Sequence, residues 1–427
     1  MDAKKKKQGK AALAALLAVM ALVLGTLGFL VRGLLDRLQV SPGNVPADYG
    51  ELDDEPEDPA SFETLYDITD ATNLQSFLFR WWHNGGDDMI RYSRDVVNVL
   101  LVGVDNNDGQ PGAGRSDTMM LASVNKKTHT ITLLSFLRDS YCYFEVNGEE
   151  RYNRLNTAFY YGGPAGLMRA VSRLYKIRVD RYITVDFQSF PQLIDALGGV
   201  TVEVTEREAR YINRTAPSWK GAFPSGPNAR LTGLQALTYS RIRKLDGDVE
   251  RTGRQQKVIE SILESARDAS LVRLYNALDV TLPYVTTNYS RSELLGLIPS
   301  AAGWLNFKVV KMSSPVLEGE DSNAIGGTIK GMSILIVDYP KAARQVQLAL
   351  YGESNIDLAD DAHRSAYIEE LFTGAAQRRA TTTQPARPGV EEGEPREGGE
   401  PAAPPEEEAT RVAEAPAWPA FPFWPFD

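Results

Sequence analysis

The stretch that most constrains the fold is a nearly continuous apolar run, Val96–Val104, which reads VVNVLLVGV. A run of this kind is typical of a strand that is buried on both faces of a sheet. Residues 118–124 and 130–137 resemble two further strands, joined by a turn at residues 125–127. We therefore expect three neighbouring strands that run up, down and up.

Helices and strands alternate in the rest of this region, which predicts an α/β fold: a three-layer α/β/α body with a mixed central sheet. The predicted strands that follow are 181–185, 200–204, 307–313 and 333–337. The predicted helices are 164–175, 187–197 and 339–350. We place this body at residues 76–352 and expect a C-terminal helix within 353–380.

The N-terminus predicts a membrane anchor. A lysine-rich segment, residues 1–10, precedes residues 11–31, which carry no charge. As a helix, 21 residues span about 30 Å, which is enough to cross a bilayer. The lysines place the N-terminus in the cytoplasm and the body outside, in a single-pass cell-membrane protein. A cleaved signal peptide is the alternative, but the run exceeds the apolar core of about 7–15 residues that signal peptides have.

Charge is distributed unevenly along the chain. The formal net charge is -10, yet residues 47–70 alone hold ten acidic and no basic residues. Residues 32–75 therefore read as an acidic, Pro-rich linker, and residues 381–427 as a disordered Pro/Glu-rich tail. The tail ends in aromatic residues, which dock on an envelope partner or on the membrane surface, or else stay solvated. The aromatic segment 77–92 either packs on the body or lies at the membrane surface.

Cysteine and histidine chemistry is largely excluded. The chain has one cysteine, Cys142, and three scattered histidines. It therefore cannot form an intrachain disulfide or a Cys-based zinc site, and it offers no histidine spacing typical of a metal site. Any catalysis has to rest on carboxylates, arginines and a hard metal ion.

The three predicted strands bring charged residues to one edge of the sheet. Asp105 follows the first strand, Asp117 enters the second, and Arg138 leaves the third. With Arg115, two carboxylates and two arginines would converge there. Like charges that converge in this way need a counterion or a ligand.

A second charged region, residues 241–256, contains five basic residues among acids and amides. Guanidinium groups match phosphate oxygens, so the region predicts a site for a phosphorylated ligand; an exposed charged loop is the alternative. Thr232 and Gln235 have the spacing of a capping box that begins a helix before Arg241. Asp246 or Asp248 is expected to cap the next helix. On that helix one face near the N-terminus carries Arg251, Arg254 and Gln255.

In this order the charged motifs resemble the LytR-CpsA-Psr family of bacterial cell-envelope proteins. The resemblance covers residues 96–270 and rests on Asp105, Arg115-Ser-Asp117, Arg138-Asp139, Arg154-Leu-Asn156, and Arg241-Ile-Arg243 followed by Asp248, Arg251 and Arg254-Gln-Gln256.

The resemblance implies a phosphotransferase that moves a phosphoglycan, such as teichoic acid or capsule, from a polyprenyl-diphosphate carrier to the 6-hydroxyl of peptidoglycan muramic acid. It implies Asp105 and Asp117 as ligands of magnesium, with manganese as a substitute, beside Arg115 and Arg138 as catalytic residues. The residues it implies for the diphosphate are Arg241, Arg243, Arg154, Gln255, Gln256, Arg251 and Arg254.

A polyprenyl chain also needs a dry tunnel. The apolar residues of the predicted helix 187–197 are candidates to line it: Phe187, Phe190, Leu193 and Ile194. An ordinary helix-on-sheet core is the alternative for each of them.

Two other functions stay open at this stage. One is a non-enzymatic envelope sensor that binds the lipid-linked polymer, and the other is a diphosphate hydrolase with water as the acceptor. Nucleic-acid binding is disfavoured, because the predicted topology places the basic residues outside the membrane.

Overall fold

The computed structural model describes residues 33, 36–37, 39–40, 62, 64–104, 116–186, 189–215, 223–243 and 245–382. The elements of its first half are β1 (Gln39–Val40), β2 (Thr64–Ile68), α1 (Thr72–His83), β3 (Val96–Val104), β4 (Ser116–Asn125), β5 (Thr130–Phe136), β6 (Tyr141–Val146), β7 (Glu149–Arg154), α2 (Thr157–Tyr175), β8 (Arg181–Asp186), α3 (Phe190–Leu197) and β9 (Val200–Val204).

The elements of its second half are α4 (Glu206–Thr215), β10 (Gly226–Leu231), α5 (Gly233–Ser240), α6 (Asp248–Asp268), α7 (Leu271–Thr281), a short 3-10 helix (Leu282–Tyr284), β11 (Val285–Thr287), α8 (Arg291–Trp304), β12 (Lys308–Ser314), β13 (Ala324–Ile329), β14 (Met332–Val337), α9 (Tyr339–Tyr351) and α10 (Ala366–Thr382).

The central sheet has seven strands in the order β1-β11-β8-β3-β4-β5-β12. β4 is antiparallel to both β3 and β5, so the predicted up-down-up arrangement is confirmed. β8 is parallel to β3, and β12 is parallel to β5, so the sheet is mixed as predicted. The C-terminal ends of β3, β5, β8 and β12 and the start of β4 therefore lie at one edge, called the upper edge below.

Helices cover both faces of this sheet, which confirms the mixed α/β fold. On one face Leu100, Val102 and Val104 belong to the main core, together with buried residues of α1, α2 and α9. On the other face Met120 packs with Leu101 and with Ile259 of α6. A smaller core lies beside this second layer, where α3, α4 and α5 pack on the antiparallel pair β9–β10.

The prediction that β3 is buried on both faces holds for alternate residues only. Leu100 and Val102 are buried, whereas Leu101 and Gly103 are half-buried. The physical reason is that Leu101 and Gly103 line a cavity on the second face of the sheet instead of a packed helix.

The aromatic segment after residue 77 packs on the body. Trp81 and Trp82 of α1 are buried in the main core, and Trp81 Nε1 donates a hydrogen bond to the Leu174 carbonyl at 2.9 Å. The body also continues beyond residue 352, since Ile368, Leu371 and Ala375 belong to the same core. Among the described residues no helix is long and apolar enough to span a membrane. The predicted membrane segment 11–31 and the tail from residue 383 lie outside them.

Candidate functional site

A cavity of about 380 Å³ opens between the second face of the sheet, α3 and α6. Most of its lining is apolar. The sheet contributes Leu101, Val102, Met120 and Val185. The helices contribute Phe190, Leu193, Val258, Ile259 and Ile262. A cavity with apolar walls and a few polar groups is the usual form of a small-molecule site.

The polar groups of the cavity come from the end of α5 and the start of α6. They are Ser240, Arg241, Arg243, Arg251 and Gln255. The predicted capping box is confirmed: the Thr232 side chain accepts from the Gln235 amide, and the Gln235 side chain accepts from the Thr232 amide. α5 ends at Ser240, so Arg241 is its C-terminal capping residue and begins the turn that carries Arg243.

One stripe of α6 shows how polar and apolar lining are arranged. Arg251 and Gln255 lie near the N-terminus of the helix, and Val258, Ile259 and Ile262 follow at helical spacing on the same face. From Arg251 to Ile262 this stripe extends about 16 Å. The cavity can therefore hold the anionic head of an amphiphile at one end and a hydrocarbon chain along the other.

Arg254 points away from this cavity. Its side chain is 3% exposed and forms two hydrogen bonds to Asp246, at 2.6 and 2.9 Å, and one to Glu208 at 3.1 Å. It also donates to the Ile242 carbonyl at 2.8 Å. Burial alone would lower the pKa of Arg254, but the two carboxylates outweigh burial and raise it. Arg254 thus holds the turn between Arg241 and α6, in contrast to its predicted contact with the diphosphate.

A second set of ion pairs lies beside the cavity. Arg251 is buried and pairs with Asp248 at 2.5 Å. Asp248 also lies 3.9 Å from Arg138 Nε, which in turn lies 3.6 Å from Asp139 Oδ1. The same Asp139 oxygen accepts from Arg154 Nη1 at 3.2 Å. The structure therefore brings Arg138, Arg154 and Arg251 together around two buried carboxylates.

Three predicted residues at the upper edge are known only by their place in the chain. Asp105 and Arg115 lie outside the described residues, and Asp117 lies in β4 without a described side chain. Val104, which precedes Asp105, is the register partner of Ser116, which precedes Asp117. Carboxylates such as those of Asp105 and Asp117 are the oxygen ligands that magnesium prefers. The described residues contain no group of three His, Cys, Asp or Glu that could hold a metal ion.

Other predicted residues lie in packed surroundings. Gln256 is buried, and its Nε2 donates to the Met312 carbonyl at 2.7 Å and to Ser135 Oγ at 2.9 Å, so it ties α6 to the sheet. Ile194 is buried in the smaller core, because it lies on the side of α3 that faces β9 and α5. Phe187 is outside the described residues, so the helix that was predicted from residue 187 is described from Phe190.

The predicted cap of α6 is also corrected. The residue before the helix is Gly247, and it makes no capping hydrogen bond through a side chain. Asp246 and Asp248 face Arg254 and Arg251 instead. An acid next to a helix start can either cap the backbone or pair with an arginine one turn on, and the local sequence does not distinguish the two.

Cys142 takes no part in the chemistry of the site. Its side chain is buried, and burial raises the pKa of the thiol well above its usual value. A thiol that stays protonated is a poor nucleophile.

Sequence reasoning did not find the role of Asp139 as a partner of the arginines, or the cavity-lining role of Val258, Ile259 and Ile262. A pairing of Arg251 with Asp248 is one of the alternatives that the sequence leaves open, and the structure shows this pair. The apolar stripe of α6 repeats at a spacing of three to four residues, which predicts a helix face that packs on a core. The available signal was that this stripe continues directly into Arg251 and Gln255, which a stripe facing a closed core would not do.

Comparisons with known proteins agree with this architecture. The model of the LytR_cpsA_psr family matches residues 77–348. The chain is 34% identical over 253 residues to polyisoprenyl-teichoic acid–peptidoglycan teichoic acid transferase TagU of Oceanobacillus iheyensis, over 57% of this chain and 72% of the relative. It is 32% identical over 198 residues to TagU of Bacillus subtilis, over 46% of this chain and 60% of the relative.

A solved structure shares the fold. Protein gbs0355 from Streptococcus agalactiae superimposes with a TM-score of 0.53 at 25% sequence identity, covering 62% of this chain and 89% of that protein. The family match spans six of the seven strands of the central sheet, the residues that line the cavity, and the arginines at its head and beside it. The chain belongs to the LytR_cpsA_psr family.

Proposed function

We propose that this protein is a membrane-anchored, extracytoplasmic phosphotransferase that moves a phosphoglycan from a polyprenyl-diphosphate carrier to peptidoglycan. The observation that carries the proposal is the cavity, which has arginines at one end and apolar walls along the rest. A polyprenyl diphosphate has the matching chemistry, with charge at its head and hydrocarbon beyond it. The TagU relatives, named as teichoic acid transferases that act on a polyisoprenyl-linked polymer, support the same assignment.

In the proposed reaction a sugar hydroxyl of peptidoglycan, the muramic acid 6-hydroxyl, attacks the sugar-proximal phosphorus. A new O–P bond forms, the bond to the bridging oxygen breaks, and polyprenyl phosphate leaves with the bridging oxygen. The hydroxyl proton passes to solvent. Phosphoryl transfer of this kind depends on positioning and charge stabilisation and needs no protein nucleophile.

The arginines supply most of that stabilisation. Arg241 and Arg243 line the head of the cavity and would grip the diphosphate oxygens. Arg251 reaches the same end and is oriented by Asp248, whereas Asp139 orients Arg138 and Arg154. Guanidinium groups that are held in place by buried carboxylates lose little freedom when a ligand binds.

Magnesium would be held by Asp105 and Asp117. Their carboxylates are the oxygen ligands that this ion prefers, and in the sequence they follow Val104 and Ser116, which are register partners. When bound, the ion would supply positive charge that offsets the charge developing on the leaving group.

The test is release of polyprenyl phosphate from a lipid-linked glycan, followed by mass spectrometry, with the full chain, peptidoglycan and magnesium present. We expect Arg241→Ala or Arg243→Ala to lower the rate about 100- to 1000-fold, the cost of one oxyanion-stabilising donor. Arg210→Ala is the matched control, because Arg210 is on α4, 74% exposed and outside the cavity lining.

The outcomes separate the competing functions. Normal transfer by the Arg241 variant would show that the site is assigned wrongly. Binding of the lipid-linked glycan without turnover by the wild type would favour a sensor. Release of polyprenyl phosphate at the same rate without peptidoglycan would favour a hydrolase.

A further inference from the structure

Helix α7 exposes an unusual amount of apolar surface. Leu271 is 83% exposed and Val272 is 69% exposed, more than any other large apolar side chain that the structure describes as exposed. Leu278, Tyr284 and Leu295, on α7, the 3-10 helix and α8, are exposed as well. Clustered apolar exposure of this kind usually marks a surface that binds something.

The same part of the body is where the N-terminal segment attaches. β1, residues 39 and 40, pairs in parallel with β11, which follows the 3-10 helix. Arg37 forms an ion pair with Asp279 of α7. Asp36 accepts from Arg291 of α8 at 2.8 Å. Residues 36–40 are thus joined to α7, β11 and α8 at once.

Helical spacing places the exposed apolar residues around these attachment points. On α7, Val272 and Tyr275 lie seven and four residues before Asp279, so all three share one face. On α8, Leu295 lies four residues after Arg291 and shares its face. We call the surface formed by Leu271, Val272, Leu278, Tyr284 and Leu295 the α7–α8 face.

The position of residues 36 and 37 brings this face close to a membrane. The predicted membrane segment ends at residue 31, five residues before Asp36. Five residues span about 8 Å as a helix and about 17 Å when fully extended. Asp36 therefore lies no more than about 17 Å from the end of the predicted membrane segment. The pairs of Asp36 with Arg291 and of Arg37 with Asp279 place the α7–α8 face next to this point.

We propose that the α7–α8 face docks on the lipid bilayer, with Leu271, Val272 and Leu295 inserted at the depth of the headgroups. Tyr275 and Tyr284 are aromatic residues of the type that is enriched at membrane interfaces. Arg273, which is exposed on α7, can reach lipid phosphates from beside the apolar residues. Docking would fix the orientation of the body relative to the membrane. The proposal rests on the predicted anchor and is independent of the chemistry of transfer.

The experiment uses the full chain in vesicles of phosphatidylethanolamine and phosphatidylglycerol that contain doxyl-labelled phosphatidylcholine as a quencher. Val272→Cys and Leu295→Cys are each labelled with a nitrobenzoxadiazole dye. The native Cys142 is buried and does not compete for the label. Leu348→Cys, on α9, is the matched control, because Leu348 is an exposed leucine at 41% outside the α7–α8 face.

For labels at headgroup depth we expect roughly twofold quenching by the lipid-borne doxyl group at residues 272 and 295 but not at residue 348. Equal quenching at all three positions would overturn the proposal. So would protection of residues 272 and 295 from both the doxyl lipid and soluble iodide, since a protein segment would then cover the face. A chain that does not insert into the vesicles would overturn the anchor and the docking face together. Transfer activity in the same vesicles tests the proposed function separately.

Discussion

At the scale of single residues, arginines of similar sequence context have different roles. Arg241 and Arg243 line the cavity, whereas Arg254, which the same motif includes, is enclosed by Asp246 and Glu208. The difference arises because Glu208 is far away in the sequence and reaches Arg254 only after α4 packs beside α6. Arg254 is accordingly a positioning residue for the turn that carries the arginines of the cavity lining.

Removing the Arg254 side chain should therefore destabilise the fold. We expect Arg254→Ala to lower the free energy of unfolding by about 3–5 kcal/mol, because it leaves the buried carboxylate of Glu208 and the partly buried carboxylate of Asp246 without their buried cation. Urea unfolding measures this loss. The control is Arg210→Ala, whose exposed pair with Glu206 is worth only about 0.3–0.5 kcal/mol. Similar losses for both variants would contradict the positioning role.

Lys176 is a buried cation outside the candidate site. Its Nζ donates to the carbonyls of Trp81, Trp82 and Asn84, where α1 ends. Burial lowers the pKa of Lys176 to about 7, and the nearby charge of Arg173 adds to the effect. The unfolded chain keeps this proton up to a pKa of about 10.4. Below pH 7 the buried lysine is charged in the folded state, which lowers the free energy of unfolding. As the pH rises, the folded state loses this proton and the destabilisation disappears.

Stability should consequently increase with pH above neutrality. Between pH 7 and 9.5 the unfolded state binds more protons at this site, so we expect the free energy of unfolding to rise by at most about 1.4 kcal/mol per pH unit. Lys176→Met should flatten this rise, whereas Lys257→Met, which removes a partly exposed lysine, should leave it unchanged. The free energy of unfolding is measured by urea unfolding at several pH values. If it rose with pH equally in the wild type and in Lys176→Met, the effect would be ruled out.

At the scale of elements, the walls of the cavity depend on close contacts between helices. α5 begins at Gly233, and a Cβ atom at this position would lie 2.0 Å from the carbonyl oxygen of Pro191 in α3. The neighbouring Phe190 and Leu193 line the cavity. Gly233 thus allows α3 and α5 to approach, and this approach sets the position of the apolar wall.

We expect Gly233→Ala to lower the free energy of unfolding by about 1–3 kcal/mol, as overpacking commonly does. Affinity for a polyprenyl phosphate should fall too, because α3 has to move. Gly253→Ala is the control: Gly253 lies within α6 with nothing within 4 Å of the added Cβ, and alanine there should stabilise the helix by about 0.5–1 kcal/mol. Chemical unfolding measures the stability of both variants, and lipid titration measures their affinity. If Gly233→Ala changed neither quantity, the close contact between α3 and α5 would be refuted.

At the scale of the whole molecule, α10 completes the main core. Tyr66 Oη of β2 donates to the Leu371 carbonyl at 2.7 Å, and Ile368, Leu371 and Ala375 are buried. β2, β13 and β14 form a three-stranded sheet beside it. β2 and α10, which lie near the two ends of the folded body, therefore pack on the same core.

Truncation tests this closure. A chain that ends at Gly352 should lose more than about 3 kcal/mol of stability, since each large apolar side chain buried by the missing segment contributes about 1.5–3 kcal/mol. A chain that ends at Thr382 should melt like the full chain, because the Pro/Glu-rich composition beyond it predicts no packed core. Thermal unfolding of the two truncated chains compares them directly, and equal melting temperatures would contradict the role of α10.

Several elements could be predicted because their signals are local. The apolar run of β3 and the capping box at Thr232 depend on neighbouring residues alone. Strands β6, β7 and β13 were not predicted. β13 contains adjacent glycines, Gly326 and Gly327, which weaken a strand signal, and its pairing with both β14 and β2 stabilises it.

By itself the sequence determined the α/β fold, the up-down-up order of β3, β4 and β5, and the family to which the charged motifs belong. Only the tertiary structure decided which arginines line the cavity, that the stripe of α6 lines it as well, and that α10 completes the core. The physical reason is distance along the chain. Glu208 and Arg254, or Tyr66 and Leu371, meet only after separate elements pack, and no periodicity or spacing in either segment encodes its partner.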